Sequence, residues 1–188
     1  NKYKDTYPEI IDKLLNEEIL ISDKSRLSFF HESFYDYLYA RMFVANERDL
    51  LEFLLSQEQH LFLRSSVRQI LTHERAQNVD ECRNRLITLL EHNSIRFHIK
   101  RLIFQWMRTF PDPQLVEWEL LEKLMQSDDS ALASWAESVL NGSAWFSLLD
   151  EIGGIDSELS CGDTEREMRA AQYVARFCQE FQDRVGDI

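Results

Sequence analysis

The chain has 188 residues and a net charge of −12, with 44% apolar and 12% aromatic content but only five glycines and three prolines. So much apolar material with so few chain-breaking residues excludes a disordered tail or a turn-rich sheet protein. It argues for packed helices, long enough for one elongated or two small domains. No apolar run approaches the roughly 18 residues that crossing a bilayer requires, and no secretory leader opens the chain.

The chain opens at Asn1 rather than methionine and enters periodic sequence almost at once, which reads as an excised segment. Cys82, Cys161 and Cys178 are odd in number, far apart and in no CxxC pair, so free thiols and a cytoplasmic setting are expected. The charge is uneven. Residues 1–110 hold 16 Lys+Arg against 16 Asp+Glu, whereas residues 111–188 hold 5 against 17. Nucleic-acid binders need a cationic surface to displace counterions from phosphates, so neither nucleic acid nor a membrane is an expected partner.

Pro8 to Glu18 reads as a short helix, with Ile10, Ile11, Leu14 and Leu15 at helical spacing. The period then changes. Ile19 and Ile21 alternate with Leu20 and Ser22, a polar turn follows at 22–25, and Leu27 and Phe29 alternate again, a β-hairpin signature. From Glu32 to Asn46 the helical period returns, with Phe34, Tyr37, Leu38, Arg41 and Met42 on adjoining rows. Helix, hairpin and helix in that order predict that residues 1–46 are the C-terminal part of a winged-helix domain, with the hairpin as its wing.

Residues 47–188 read as helices only. Asp49–Ser56 carries Leu50, Leu51, Leu54 and Leu55, and the next helix, around 61–75, places Leu63, Val67, Ile70 and Leu71 on one face. Asn78 with Glu81 three residues on resembles a capping box and opens a helix with Cys82, Leu86, Leu89 and Leu90 inside. The segment from Ser94 to Phe110 is apolar on two sides. One holds Ile95, Ile99, Leu102, Ile103, Trp106 and Phe110, and the other Phe97, Phe104 and Met107, so it should lie between neighbours. Asp112-Pro113 reads as an N-cap and first helical position before Val116, Leu120, Leu121 and Leu124. A helix from Ser130 to Leu140 is expected to stop at Asn141-Gly142 in a left-handed turn. Trp145–Leu149 is a short apolar turn, Glu151–Gly162 the longest loop, and a last helix over 163–185 should bury Met168, Ala171, Val174, Cys178 and Phe181. Helices of such length on short connections predict a mainly α fold: a winged-helix remnant with a short hairpin, then HEAT-like antiparallel helical repeats forming an α-solenoid. No strict repeat period is present.

One motif is distinctive: Leu27-Ser28-Phe29-Phe30-His31-Glu32-Ser33-Phe34-Tyr35-Asp36-Tyr37-Leu38-Tyr39-Ala40-Arg41. It resembles the end of the winged-helix domain in NACHT-type signal-transduction ATPases, the class that includes NLR immune receptors and their bacterial relatives. There the wing strand runs into Phe, x, His, x, Ser/Thr, Phe, x, Glu, Phe/Tyr and a pair of alanines. Phe29, His31, Ser33, Phe34, Tyr37 and Ala40 match, Asp36 stands where the family usually has Glu, and only one alanine of the pair is present. The close match covers this stretch alone, although Phe97–Leu102 through Pro113 also looks like the helical repeats behind the ATPase in bacterial members.

The resemblance implies that His31 contacts the β-phosphate of ADP held by an in-cis nucleotide-binding domain. The parent protein would bind ADP or ATP with Mg, meet a protein ligand or trigger through its helical repeats, and homo-oligomerise when activated. A bacterial member would act in anti-phage defence. The residues themselves leave a plainer alternative for His31, packing or capping at a strand-to-helix junction. Ser33 is expected as an N-cap, Phe34, Tyr37 and Leu38 as core, and Asp36 as a solvent or interdomain contact.

No GxxxxGK[ST] loop is present, His60, His73, His92 and His98 have no partner at metal-ligand spacing, and no nucleophile elbow occurs. Neither a catalytic residue nor a metal site is therefore expected. Glu117, Glu119 and Glu122 read as a solvated helix face, and Trp106, Trp118, Trp135 and Trp145 as core. Two alternatives to the sensor segment are a HEAT-like scaffold without nucleotide sensing and a DNA-binding winged-helix regulator. The second is disfavoured by Glu9, Asp12, Glu17 and Glu18 on the helix before the wing.

Overall fold

The computed structural model describes residues 7–23 and 26–185, without the side chains of Glu32, Glu165 and residues 178–185. The protein is mainly helical, 69% helix, with eleven helices and one two-stranded antiparallel hairpin among the described residues. It divides into two compact units, residues 1–77 and 78–188, so the expected boundary after residue 46 falls within the first of them.

The first unit holds α1 (Pro8–Asn16), β1 (Leu20–Asp23), β2 (Arg26–Phe29), α2 (Glu32–Ala45), α3 (Leu50–Leu55) and α4 (Leu63–Gln77). Pro8 sits at the start of α1, where its missing N–H costs nothing. The hairpin pairs Leu20 with Phe29 and Asp23 with Arg26; of the expected turn, residues 24 and 25 lie outside the described residues. Helix α2 lies against α4, with Ala40 and Phe43 buried on one side and Val67, Ile70 and Leu71 on the other. Phe43 meets Phe53 of α3 edge-on at 5.4 Å, and the Arg48 guanidinium covers both rings. Glu47, just past α2, has φ 52°, a left-handed conformation that costs a non-glycine residue about 1–2 kcal/mol.

The second unit runs α5 (Val79–Glu91), α6 (Phe97–Met107), α7 (Leu115–Met125), α8 (Ser130–Val139), α9 (Ser143–Glu151), α10 (Gly154–Leu159) and α11 (Thr164–Val185). Helix α5 packs on α6 and α7, α6 on α8, and α7 on α8, a stacking consistent with a helical-repeat arrangement. Asn78 caps α5 by accepting the Glu81 N–H at 3.2 Å, as expected, and Cys82, Leu86, Leu89 and Leu90 are all buried. Helix α6 buries Ile99, Leu102, Ile103, Phe104, Trp106 and Met107, so both expected faces are covered except at Phe97, which is exposed. Trp145 is fully buried, stacks on Phe110 at 6.1 Å and donates its indole N–H to the Met107 carbonyl at 2.9 Å.

Four details depart from the expected pattern. Helix α7 is capped by Gln114 rather than Asp112-Pro113, because the Glu117 carboxylate accepts the Gln114 N–H at 2.8 Å and closes a capping box. Gly142 is not a left-handed stop. It has φ −85° and caps α9, and glycine is required because a Cβ there would lie 2.4 Å from the Arg108 carbonyl oxygen. The 151–162 loop contains α10, which buries Ile155. On α11, Met168 and Ala171 are exposed and Val174 half-buried, since Tyr173 and Phe177 are the residues that pack on Phe146, at 5.5 and 4.9 Å. Cys178 and Phe181 lie outside the described side chains.

The close approach at Gly142 is testable. Gly142→Ala should lower the unfolding free energy by about 1–3 kcal/mol through overpacking against the Arg108 carbonyl. Urea denaturation reads this directly, and an unchanged midpoint would contradict the contact.

Candidate functional site

Strand β2 delivers the chain into α2 through Phe30 and His31, and His31 is still extended at φ −123° and ψ 134°. It therefore occupies the last non-helical position, and its ring does what an Asn or Ser usually does there: Nδ1 accepts the Ser33 N–H at 3.2 Å. Ser33 is not the cap but lies inside the first turn, with its Oγ 2.8 Å from the same nitrogen. With Nδ1 accepting, the neutral imidazole carries its proton on Nε2. The ring is exposed, and Nε2 has no partner among the described residues. The junction thus offers one outward-facing N–H donor on a ring whose orientation is fixed by the helix start. Such a group can hydrogen-bond an anionic oxygen.

Asp36, expected in solvent or at an interdomain contact, is 8% exposed and faces α4. Its carboxylate accepts from the Ser65 hydroxyl at 2.5 Å and the Ser66 hydroxyl at 3.1 Å. A buried carboxylate persists where its oxygens are hydrogen-bonded, and here the two hydroxyls anchor α2 to the first turn of α4.

That anchoring fixes the rotation of α2 about its axis. Phe34, Tyr37, Leu38 and Met42, the first three expected as core, emerge on the opposite side, between 39% (Phe34) and 64% (Met42) exposed. Phe30, beside His31, is also exposed. Tyr35 and Tyr39 lie along a third row and link Phe29 to Phe43 through ring contacts of 6.0 to 6.4 Å. His31 therefore sits at the end of an apolar helix face that no element among the described residues covers.

The remaining sequence candidates do not assemble into a second site around His31. His60 pairs with Glu58 at 3.0 Å and stacks on Phe62. His92 Nδ1 accepts the Ser94 N–H at 3.1 Å, and His73 contacts Gln77. Glu117, read from sequence as solvated, is 1% exposed and serves the α7 cap, whereas Glu119 and Glu122 are exposed. Trp106 and Trp145 are buried, and Trp118 and Trp135 are half-buried. The sequence pattern missed the open face of α2, because a helix apolar on both sides does not show which side will be covered. Among the described residues, no helix is long and apolar enough to cross a membrane.

Compared with family models, curated proteins and solved structures, the chain matches none of them.

The Asp36 anchor has a measurable consequence. Asp36→Ala leaves both hydroxyls without their acceptor and should destabilise the first unit by about 1–3 kcal/mol. Amide hydrogen exchange in α2 and α4 should accelerate together, and acceleration in neither helix would contradict the anchoring role.

Proposed function

We propose that this chain is a non-catalytic regulatory and sensor segment of a NACHT-like signalling ATPase, coupling nucleotide state to a helical sensor arm. The carrying observation is His31: an exposed imidazole, held by its own helix cap so that Nε2–H points outward, at the end of an uncovered apolar face. In this reading the apolar face meets the in-cis nucleotide-binding domain, and Nε2–H donates to a phosphate of ADP held there. Exchange for ATP with Mg removes that contact and shifts the population toward an open, homo-oligomerising form. The second unit, residues 78–188, is the arm that meets a protein trigger. The setting is cytoplasmic, and anti-phage defence is the role that the family resemblance suggests.

A HEAT-like protein–protein scaffold without nucleotide sensing is the alternative. The stacked helices of the second unit favour it equally, since they require nothing of His31.

The two are separated in the full-length protein by a pair of substitutions. His31→Ala removes both the cap and the Nε2 donor. His31→Asp keeps a good capping acceptor but turns a negative charge toward the phosphate. Both should speed ADP release and raise signalling without a trigger, His31→Asp while leaving the melting temperature close to that of the parent. ADP release unchanged in both variants removes His31 from the nucleotide and leaves the scaffold.

A further inference from the structure

The second unit carries a groove of about 460 Å³ between α7, α8, α10 and α11, a volume in the range of ligand-binding clefts. Trp118, Met125, Leu140, Ile155 and Ala170 give it largely apolar walls. Tyr173 lines it from α11, and its hydroxyl is buried with no hydrogen-bond partner among the described residues. Burial pushes this phenol well above its usual range, so it stays neutral and can donate or accept. A buried hydroxyl left unpaired is unfavourable, and an incoming polar group relieves that.

The charges around the groove point to the sign of the ligand. Both guanidiniums in the wall are engaged: Arg166 pairs with Glu158, and Arg169 with Glu137 at 2.7 Å. Glu122 on α7 also lines the groove and has no cationic partner among the described residues. The lining holds three carboxylates and two guanidiniums, with a third guanidinium, Arg176, reaching the rim at Asn141. Glu122 is the lining carboxylate without a cation among the described residues, and the wider segment 111–188 holds 17 Asp+Glu against 5 Lys+Arg. Such a field attracts a cation and repels nucleic acid. It equally repels a second copy of the same acidic surface.

We infer that this groove seats a short segment of a partner protein that presents an apolar side chain with a lysine or arginine beside it. The apolar side chain fills the space between Trp118, Leu140 and Ile155, the cation meets Glu122, and a backbone amide or carbonyl of the segment satisfies the Tyr173 hydroxyl. This rests on the second unit being a partner-binding arm, which the sensor and the scaffold share, and not on His31.

The test uses the whole chain and a displayed library of random twelve-residue peptides as the probe. Panning should enrich an apolar residue within a few positions of Lys or Arg. Two variants then locate the binding. Glu122→Arg, on the exposed rim, should weaken the enriched peptides about tenfold or more. Ala170→Trp, which fills the groove, should abolish binding. If Ala170→Trp fails to fold, Glu122→Arg still decides. Enrichment of acidic peptides, enrichment of none, or binding that neither folded variant alters overturns the inference. A concentration-dependent dimer that Ala170→Trp dissolves assigns the groove to a second copy and also overturns it. ADP release by His31 variants is independent of every one of these outcomes, so either proposal can fail alone.

Discussion

The first unit is organised by the packing of α2 on α4. Helix α2 is apolar on both sides, so hydrophobicity alone leaves its rotation undecided. The decision is made by the small Ala40, which allows close approach, by Phe43, and by Asp36 reaching the hydroxyls of Ser65 and Ser66. Once that side is inward, Phe34, Tyr37, Leu38 and Met42 have nowhere to go but out. These side chains are 39% to 64% exposed, so covering the remainder is worth roughly 1 kcal/mol each, and a few kcal/mol for the four together. The exposed Arg41 lies among them at helical spacing, so this outer face is apolar with a cation in its midst.

The element order was legible because the hydrophobic period changes from helical to alternating at Ile19 and back at Glu32. Burial was legible wherever one stripe of a helix is apolar and the other polar, as in α5, whose four expected core residues are the four that are buried. It failed on α2, where the pattern identifies apolar residues but not their fate. It failed again for Asp36 and Glu117, which a polarity argument sends to the surface. Each is inside because it has a partner: two hydroxyls 29 and 30 residues away for Asp36, and the backbone N–H of its own helix cap for Glu117. The cap is a local pattern and was readable in Gln114-x-x-Glu117; the contact across 29 residues is not local and was not.

Gly142 illustrates the same limit from the other direction. Locally, Asn-Gly after a helix signals a left-handed stop. The residue is instead glycine because the Arg108 carbonyl, distant in sequence, comes too close for any side chain. Two different physical demands select the same amino acid, and only the three-dimensional neighbour distinguishes them. The hidden α10 follows similar logic. Gly153 takes φ 68° to turn the chain, and the short helix behind it forms by burying Ile155 rather than by any periodic signal of its own.

His31 was read from sequence as either a cap or a phosphate sensor, and the structure shows it as the cap of α2. As a cap, the ring receives the Ser33 amide on Nδ1, with the Ser33 hydroxyl beside it. That places the proton of the neutral ring on Nε2 and holds the ring in one orientation at the strand-to-helix corner. A donor fixed in advance loses less entropy on meeting an anion than one on a free side chain. The helix start therefore preorganises the ring. The cap thus engages one nitrogen of the imidazole and leaves the other without a partner among the described residues.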